Sequence, residues 1–115
     1  NILFARELAL RLAKAKANVV AYSLHPGCIV TDLQRSLSSI ENFAVTRVMA
    51  LFFKSVPQGA ATQLVAATAP AGWAPSGEYL ADCNICGSSA HAHNAELGTG
   101  LWALSEKLTG VKGAI

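Results

Sequence analysis

The sequence predicts an α/β domain built around parallel strands. Val19–Leu24, "VVAYSL", is a near-continuous apolar run with β-branched and aromatic residues, the pattern of a strand buried on both faces. A helix with regular apolar spacing runs straight into it, and that order is the helix-to-strand half of a βαβ unit. Further on, a second helical stretch is followed by a second strand signal, "EYLADC".

The chain has 115 residues, 52% of them hydrophobic and 14% charged. That is the size of one small domain spanning residues 1–115, neither disordered nor highly charged. It holds more apolar material than a domain this small easily hides, so some faces are expected to meet other protein. A net charge of +2 with scattered basic residues is too mild for nucleic acid, and no aromatic-basic interleaving supports it. Three cysteines and no Met at the start argue for reduced thiols rather than a disulfide scaffold. The longest apolar stretch, Phe43 to Phe53, is interrupted by Arg47. It is shorter than the ~20 residues a bilayer requires, although it could touch a membrane surface.

The elements come in the following order. "NILFARELALRLAKAKA" is helical, with Phe4, Leu8 and Leu12, and Ala5, Ala9 and Ala13, at helical spacing. Arg6, Glu7, Arg11 and Lys14 are expected to point away from that face. This helix has no start signal, which suggests a chain cut inside a longer element. Asn18 breaks it and the first strand follows. Thr31 or Asp32 could cap a short helical turn. "QRSLSSIEN" reads as a loop and "FAVTRVMALFF" as a helix. In "SVPQGAATQLVAATAP", Ser55 and Gln58 form a capping-box pattern with Pro57 in the first turn. The small side chains after it suit close packing on a sheet, and Pro70 ends the run. "AGWAPSG" is a connector, "EYLADC" the second strand, and Cys83 to His93 irregular. "NAELGTGLWALSEKLTG" is a helix capped by Asn94, striped by Leu97, Leu101, Leu104 and Leu108, and terminated at Gly110.

The first strand ends in His25-Pro26-Gly27. In open α/β sheets ligands bind at the carboxyl ends of the strands. Pro26 denies the ladder a donor, and Gly27 permits a conformation that other residues resist and lets a ligand come close. Backbone groups from Cys28 to Val30 and the Thr31 hydroxyl would suit an amide-and-phosphate ligand such as a nicotinamide cofactor.

"HPGCIVTDL" after "NVVAYSL" resembles the Pro-Gly-x-x-x-Thr segment of the short-chain dehydrogenases/reductases. The opening "NILFARELALRLAK" resembles the segment just after the catalytic Tyr-x-x-x-Lys in their retinol-dehydrogenase-like and WW-domain-oxidoreductase-like branch. "SVPQGAATQLVAATAP", "SGEYLADC" and "LWALSEKLTG" resemble the same branch, in the same order. The resemblance implies the C-terminal half of a Rossmann-type, doubly wound parallel sheet: its last two strands with flanking helices. It also implies an oxidoreductase that passes hydride between NAD or NADP, with NADP slightly favoured, and an alcohol or carbonyl. On the family spacing the catalytic Tyr and Lys would lie upstream of Asn1, so the chain by itself is expected to be inactive.

Residue by residue, the resemblance assigns the shape of the turn to Pro26 and Gly27. It assigns the nicotinamide carboxamide contact to the Ile29 main chain, and a carboxamide or pyrophosphate contact to the Thr31 hydroxyl. Residues 33–56 form the substrate region, with Leu33, Val45, Met49, Leu51 and Phe52 suited to a small lipophilic substrate of the retinoid or steroid kind; Val45, Met49, Leu51 and Phe52 would suit an ordinary core equally well. A homo-oligomer, a peripheral membrane contact and an intracellular site, cytoplasmic or on a membrane surface, complete the expectation. The alternatives are a non-catalytic binding module of the same fold and a small zinc protein. Cys83, Cys86, His91 and His93 form a proper zinc ligand set, but the two histidines are one residue apart instead of the usual three to five. A redox Cys-x-x-Cys lacks the adjoining helix N-terminus that activates a thiol. His25, Cys28, Trp73 and Trp102 read as structural residues, and Lys14 and Lys16 as a solvated helix end favourable to the dipole. Two strands without a central sheet would leave the faces of "VVAYSL" bare, an aggregation hazard in isolation.

Overall fold

In a computed structural model, residues 1–29 and 53–113 are described. Helix α1 spans Ile2–Lys14, strand β1 Ser23–His25, helix α2 Val56–Thr68 and strand β2 Tyr79–Ala81. Strand β3 (Asn84–Ile85), a 3₁₀ turn (Ala90–His93) and helix α3 (Ala95–Thr109) complete the order.

The two expected strands pair in parallel, with Ser23 opposite Tyr79, Leu24 opposite Leu80 and His25 opposite Ala81. The sheet order is β1-β2-β3. The third strand runs antiparallel to β2, so the described sheet is mixed where a purely parallel pair was expected. β3 comes after a two-residue hairpin in which Asp82 and Cys83 both take positive φ, 52° and 62°. Such a turn usually carries Asn-Gly or Asp-Gly. Here the Cys83 N–H is held by the Thr62 hydroxyl at 3.3 Å, and the Asn84 side chain donates to the Asp82 carbonyl at 2.8 Å.

β1 is shorter than the apolar run that predicts it. Val19 and Val20 are 58% and 57% exposed, not buried on both faces. The reason is position: β1 is an edge strand of the described sheet, and one side of it has no partner among the described residues. The approach to β1 is nevertheless fixed. Ala21 donates to the Ser76 hydroxyl at 3.0 Å, Gly77 donates to the Ala21 carbonyl at 2.8 Å, and the Tyr22 hydroxyl donates to the Ala74 carbonyl at 2.8 Å. A groove of about 560 Å³ with a mixed lining runs between α1 and β1, with Phe4, Ala5, Leu8, Val20 and Leu24 on it together with polar Asn1 and Ser23.

The ends of α2 and α3 match their sequence signals, whereas α1 stops at Lys14, before the expected break at Asn18, and Lys16 takes a positive φ of 53°. Ser55 and Gln58 close a complete capping box, with Pro57 in the first turn. Asn94 accepts from the Leu97 N–H at 3.1 Å, and Gly110 ends α3 in the left-handed conformation.

The helix faces differ from the expected stripes. α3 packs on α1 through Gly98 and Trp102, while Leu104 and Leu108 of the leucine stripe are 51% and 76% exposed. The Trp102 ring stacks on Phe4 with centroids 4.9 Å apart, and the Arg11 guanidinium lies 4.4 Å from the ring centroid. A large flat ring buries more area than a leucine and gains from such stacking, so the ring rather than the stripe decides which face turns inward. Gly98 faces Glu7 and the Leu3 carbonyl, which stand 3.7 and 3.8 Å from the position a methyl would take, an ordinary contact distance. Glu7 and Arg11 are therefore part of this contact and do not point away from it. Glu7 is buried and accepts from Arg11 at 2.8 Å. Trp73, by contrast, is partly exposed.

Among the described residues no helix is long and apolar enough to cross a membrane. Trp102→Ala should cost about 3–5 kcal/mol, the usual loss for truncating a buried large aromatic, measured by denaturant unfolding of the full-length protein. A loss below about 1 kcal/mol would mean that the α1–α3 contact is not stabilising.

Candidate functional site

Parallel pairing in register puts the carboxyl ends of β1 and β2 side by side, the end at which open α/β sheets bind ligands. From β1 the chain enters Pro26, which has no N–H to continue the ladder. Gly27 comes next with φ +87°, a conformation that side chains resist. The space at its Cβ position is not left open for a ligand, as the sequence suggests. Lys54 Cδ, Cε and Nζ stand 2.9, 3.0 and 3.1 Å from where a Cβ would be. The backbone conformation is what demands glycine, and the flexible end of the lysine side chain lies across it.

Lys54 also holds the turn by its main chain. Its N–H donates to the Cys28 carbonyl at 2.8 Å, and Lys54 and Ile29 form a parallel bridge. The Ile29 side chain is set into α2 at Gly59, where any Cβ would overlap Ile29 Cδ1. That anchor fixes the direction of the Ile29 main chain.

From β2 the chain turns at Asp82-Cys83, and the Asp82 carboxylate pairs with Lys54 Nζ. The hydrogen bond and charge of Lys54 hold the Asp82 carboxyl below its ordinary range, and His25 adds a smaller effect in the same direction. Behind the turn lies Thr62, 1% exposed, within 4.0 Å of the Cys83 sulfur. The structure therefore gathers Pro26, Gly27 and Ile29 in one braced turn, with Lys54, Gly59, Thr62 and Asp82 as its supports. Gly59 and Thr62 lie within "SVPQGAATQLVAATAP" and Asp82 within "SGEYLADC", but nothing in those stretches or around Lys54 marks these residues as supports of the turn. The one available signal is that "FFKS" and "ADC" each stand where a chain enters or leaves a predicted element. Thr31, Leu33, Val45, Met49, Leu51 and Phe52 lie outside the described residues.

Chemically the turn is a shaped backbone surface: Cys28 is exposed, and Pro26, Gly27 and Ile29 are half-buried. It can offer main-chain groups to a planar polar ligand. Cys28, Cys83 and Cys86 are free thiols. Among the described residues no group of three or more His, Cys, Asp or Glu side chains is placed to hold a metal ion, and His93 instead shares a hydrogen bond with Ser88 at 3.0 Å.

Known proteins resemble nearly all of this chain. Mouse retinol dehydrogenase 12 is 38% identical over 112 residues, 97% of this chain and 34% of its own length. The chloroplastic short-chain dehydrogenase TIC 32 A of Brassica napus is 38% identical over 109 residues, covering 94% of this chain and 33% of that protein. The WW domain-containing oxidoreductase of Drosophila melanogaster is 41% identical over 110 residues, 94% of this chain and 26% of its length. The chain thus spans about a third or less of the curated relatives it matches, a smaller share than the half that the motifs imply. No family model matches the chain. No solved structure matches it either.

Two outcomes are expected from the supports. Gly59→Ala should destabilise the protein by about 1–3 kcal/mol, the cost of overpacking, read as a lower denaturation midpoint; an unchanged midpoint would mean that Ile29 is not seated there. Acid should release the Lys54–Asp82 pair. A carboxyl whose folded pKa is lowered contributes stability that is fully present above its ordinary value, about 3.9, and is lost as pH falls through the lower folded value. Asp82→Asn should therefore flatten the stability profile below about pH 4. A profile identical to wild type would show that the pair contributes nothing.

Proposed function

The chain belongs to the short-chain dehydrogenase/reductase family, and on that premise we propose that it builds the nicotinamide end of an NAD(P)-dependent oxidoreductase. The reaction is the interconversion of an alcohol and a carbonyl, on a lipophilic substrate. The observation that carries this reading is Gly27 in the left-handed region, directly after a strand that pairs in parallel and in register with β2. Such a turn fits the amide end of a nicotinamide: it is held in place by Lys54 over Gly27, and the main chain after it at Cys28 and Ile29 is in part accessible.

Pro26 and Gly27 set the shape of the turn, and the Ile29 main chain meets the carboxamide. Thr31 contributes its hydroxyl to the carboxamide or to the pyrophosphate. When bound, the cofactor supplies hydride exchange at the nicotinamide ring, and the protein supplies orientation. The proton-transfer Tyr, Lys and Ser of the family are assigned to no position in this chain. The retinol named in one relative supports a substrate with an alcohol or aldehyde on an apolar body. Leu33, Val45, Met49 and Phe52 are its proposed contacts.

The test is a titration of the full-length protein with NADH and with NADPH, followed by an assay with a long-chain aldehyde. Gly27→Val, which meets both the backbone strain and the lysine stem, should raise the Kd for the preferred nucleotide about tenfold or more, a loss of ~1.4 kcal/mol. Failure of folded full-length protein to bind either nucleotide would overturn the reading.

A further inference from the structure

We propose that Lys54 and Asp82 form a clamp that positions the Pro26–Gly27 turn for the nicotinamide, with Lys54 as a positioning residue; this rests on the function proposed above. Three observations meet at Lys54. Its main-chain N–H donates to Cys28 at 2.8 Å, on the far side of the turn. Its stem covers Gly27, with Cδ 2.9 Å from the absent Cβ position. Its ammonium pairs with Asp82, which the hairpin at the end of β2 holds with φ 52°. One residue therefore ties the turn after β1 to the turn after β2.

A direct role for Lys54 on a cofactor phosphate is the competing use of this cation, and the geometry disfavours it. The ammonium is already engaged by a carboxylate, and the Asp82 charge would repel an incoming phosphate. The stem is also held against Gly27, so the head is not free to swing toward a ligand without uncovering the turn. A flexible lysine confined at both ends acts as a strut. The support continues behind Asp82, where buried Thr62 holds the Cys83 N–H at 3.3 Å. The strut thus ends on a fixed point and not on a loose hairpin.

The clamp acts at the nicotinamide end alone, and this makes it testable against a general structural role. NAD(P)H and ADP-ribose (with its 2′-phosphate where NADPH is preferred) share the adenosine half, and only the first carries a nicotinamide. In the full-length protein, Lys54→Met and Asp82→Asn should each raise the Kd for NAD(P)H by about tenfold and leave the Kd for the ribose probe unchanged. Lys54→Arg, which keeps both stem and charge, should stay within about threefold of wild type. Equal loss of both ligands would make Lys54 an ordinary fold support and overturn the clamp, and so would no loss of either. Should Lys54→Met not fold, Asp82→Asn alone decides, since it removes the charge and leaves the stem on Gly27. If wild type binds neither probe while folded, the function proposed above fails and the clamp falls with it. If wild type binds and Gly27→Val weakens binding while Asp82→Asn does not, only the clamp fails.

Discussion

The parallel pairing of Ser23–His25 with Tyr79–Ala81 is the constraint on which the ligand end of this structure depends. Parallel strands cannot be joined by a tight turn and need a crossover. Here the crossover includes α2, which packs on both strands. In-register pairing fixes where each strand stops, and it therefore fixes that the Pro26–Gly27 turn and the Asp82–Cys83 hairpin emerge next to each other. A shift of one residue would turn Leu80 out of the interior, where it is wholly buried, because side chains alternate along a strand. The burial of Leu80 thus protects the register, and the register protects the site.

Small residues carry much of the remaining architecture. Gly59 admits Ile29, Gly27 admits Lys54, and Gly98 admits α1. At Gly59 and Gly27 the space of the missing side chain is taken by a neighbour from a distant part of the sequence, while at Gly98 the neighbours stand at ordinary contact distance. This is how helices and turns approach closely with so few large buried side chains: among the described residues only Leu80 and Thr62 are both sizeable and fully sealed. The exposed valines before β1 and the groove between α1 and β1 are the other side of that economy, surface that the described elements do not cover.

Local signals were legible in the sequence where the physics is local. The Ser55–Gln58 capping box, the Asn94 cap and the Gly110 terminator all depend on residues within a few positions of one another, and each is found in place. The two parallel strands and the Pro-Gly turn were legible from apolar runs and a breaker. Features that depend on distant partners were not. Nothing near Lys54 shows that it crosses Gly27, because the contact exists only after the sheet forms. β3 was hidden because its hairpin places a cysteine in a conformation usually left to glycine, supported by Thr62 from another element. The leucine stripe of α3 misled because a count of apolar positions weighs Leu104 and Trp102 alike, whereas the stacked ring has more to gain from burial.

If the reading proposed above holds, the turn after β1 receives a nicotinamide cofactor. Amide hydrogen exchange of the full-length protein, with and without saturating NADH or NADPH, tests it most directly. Slowed exchange is expected at residues 27–31, where the main chain would be covered. Protection elsewhere in the protein, with 27–31 exchanging as in the free state, would contradict that reading.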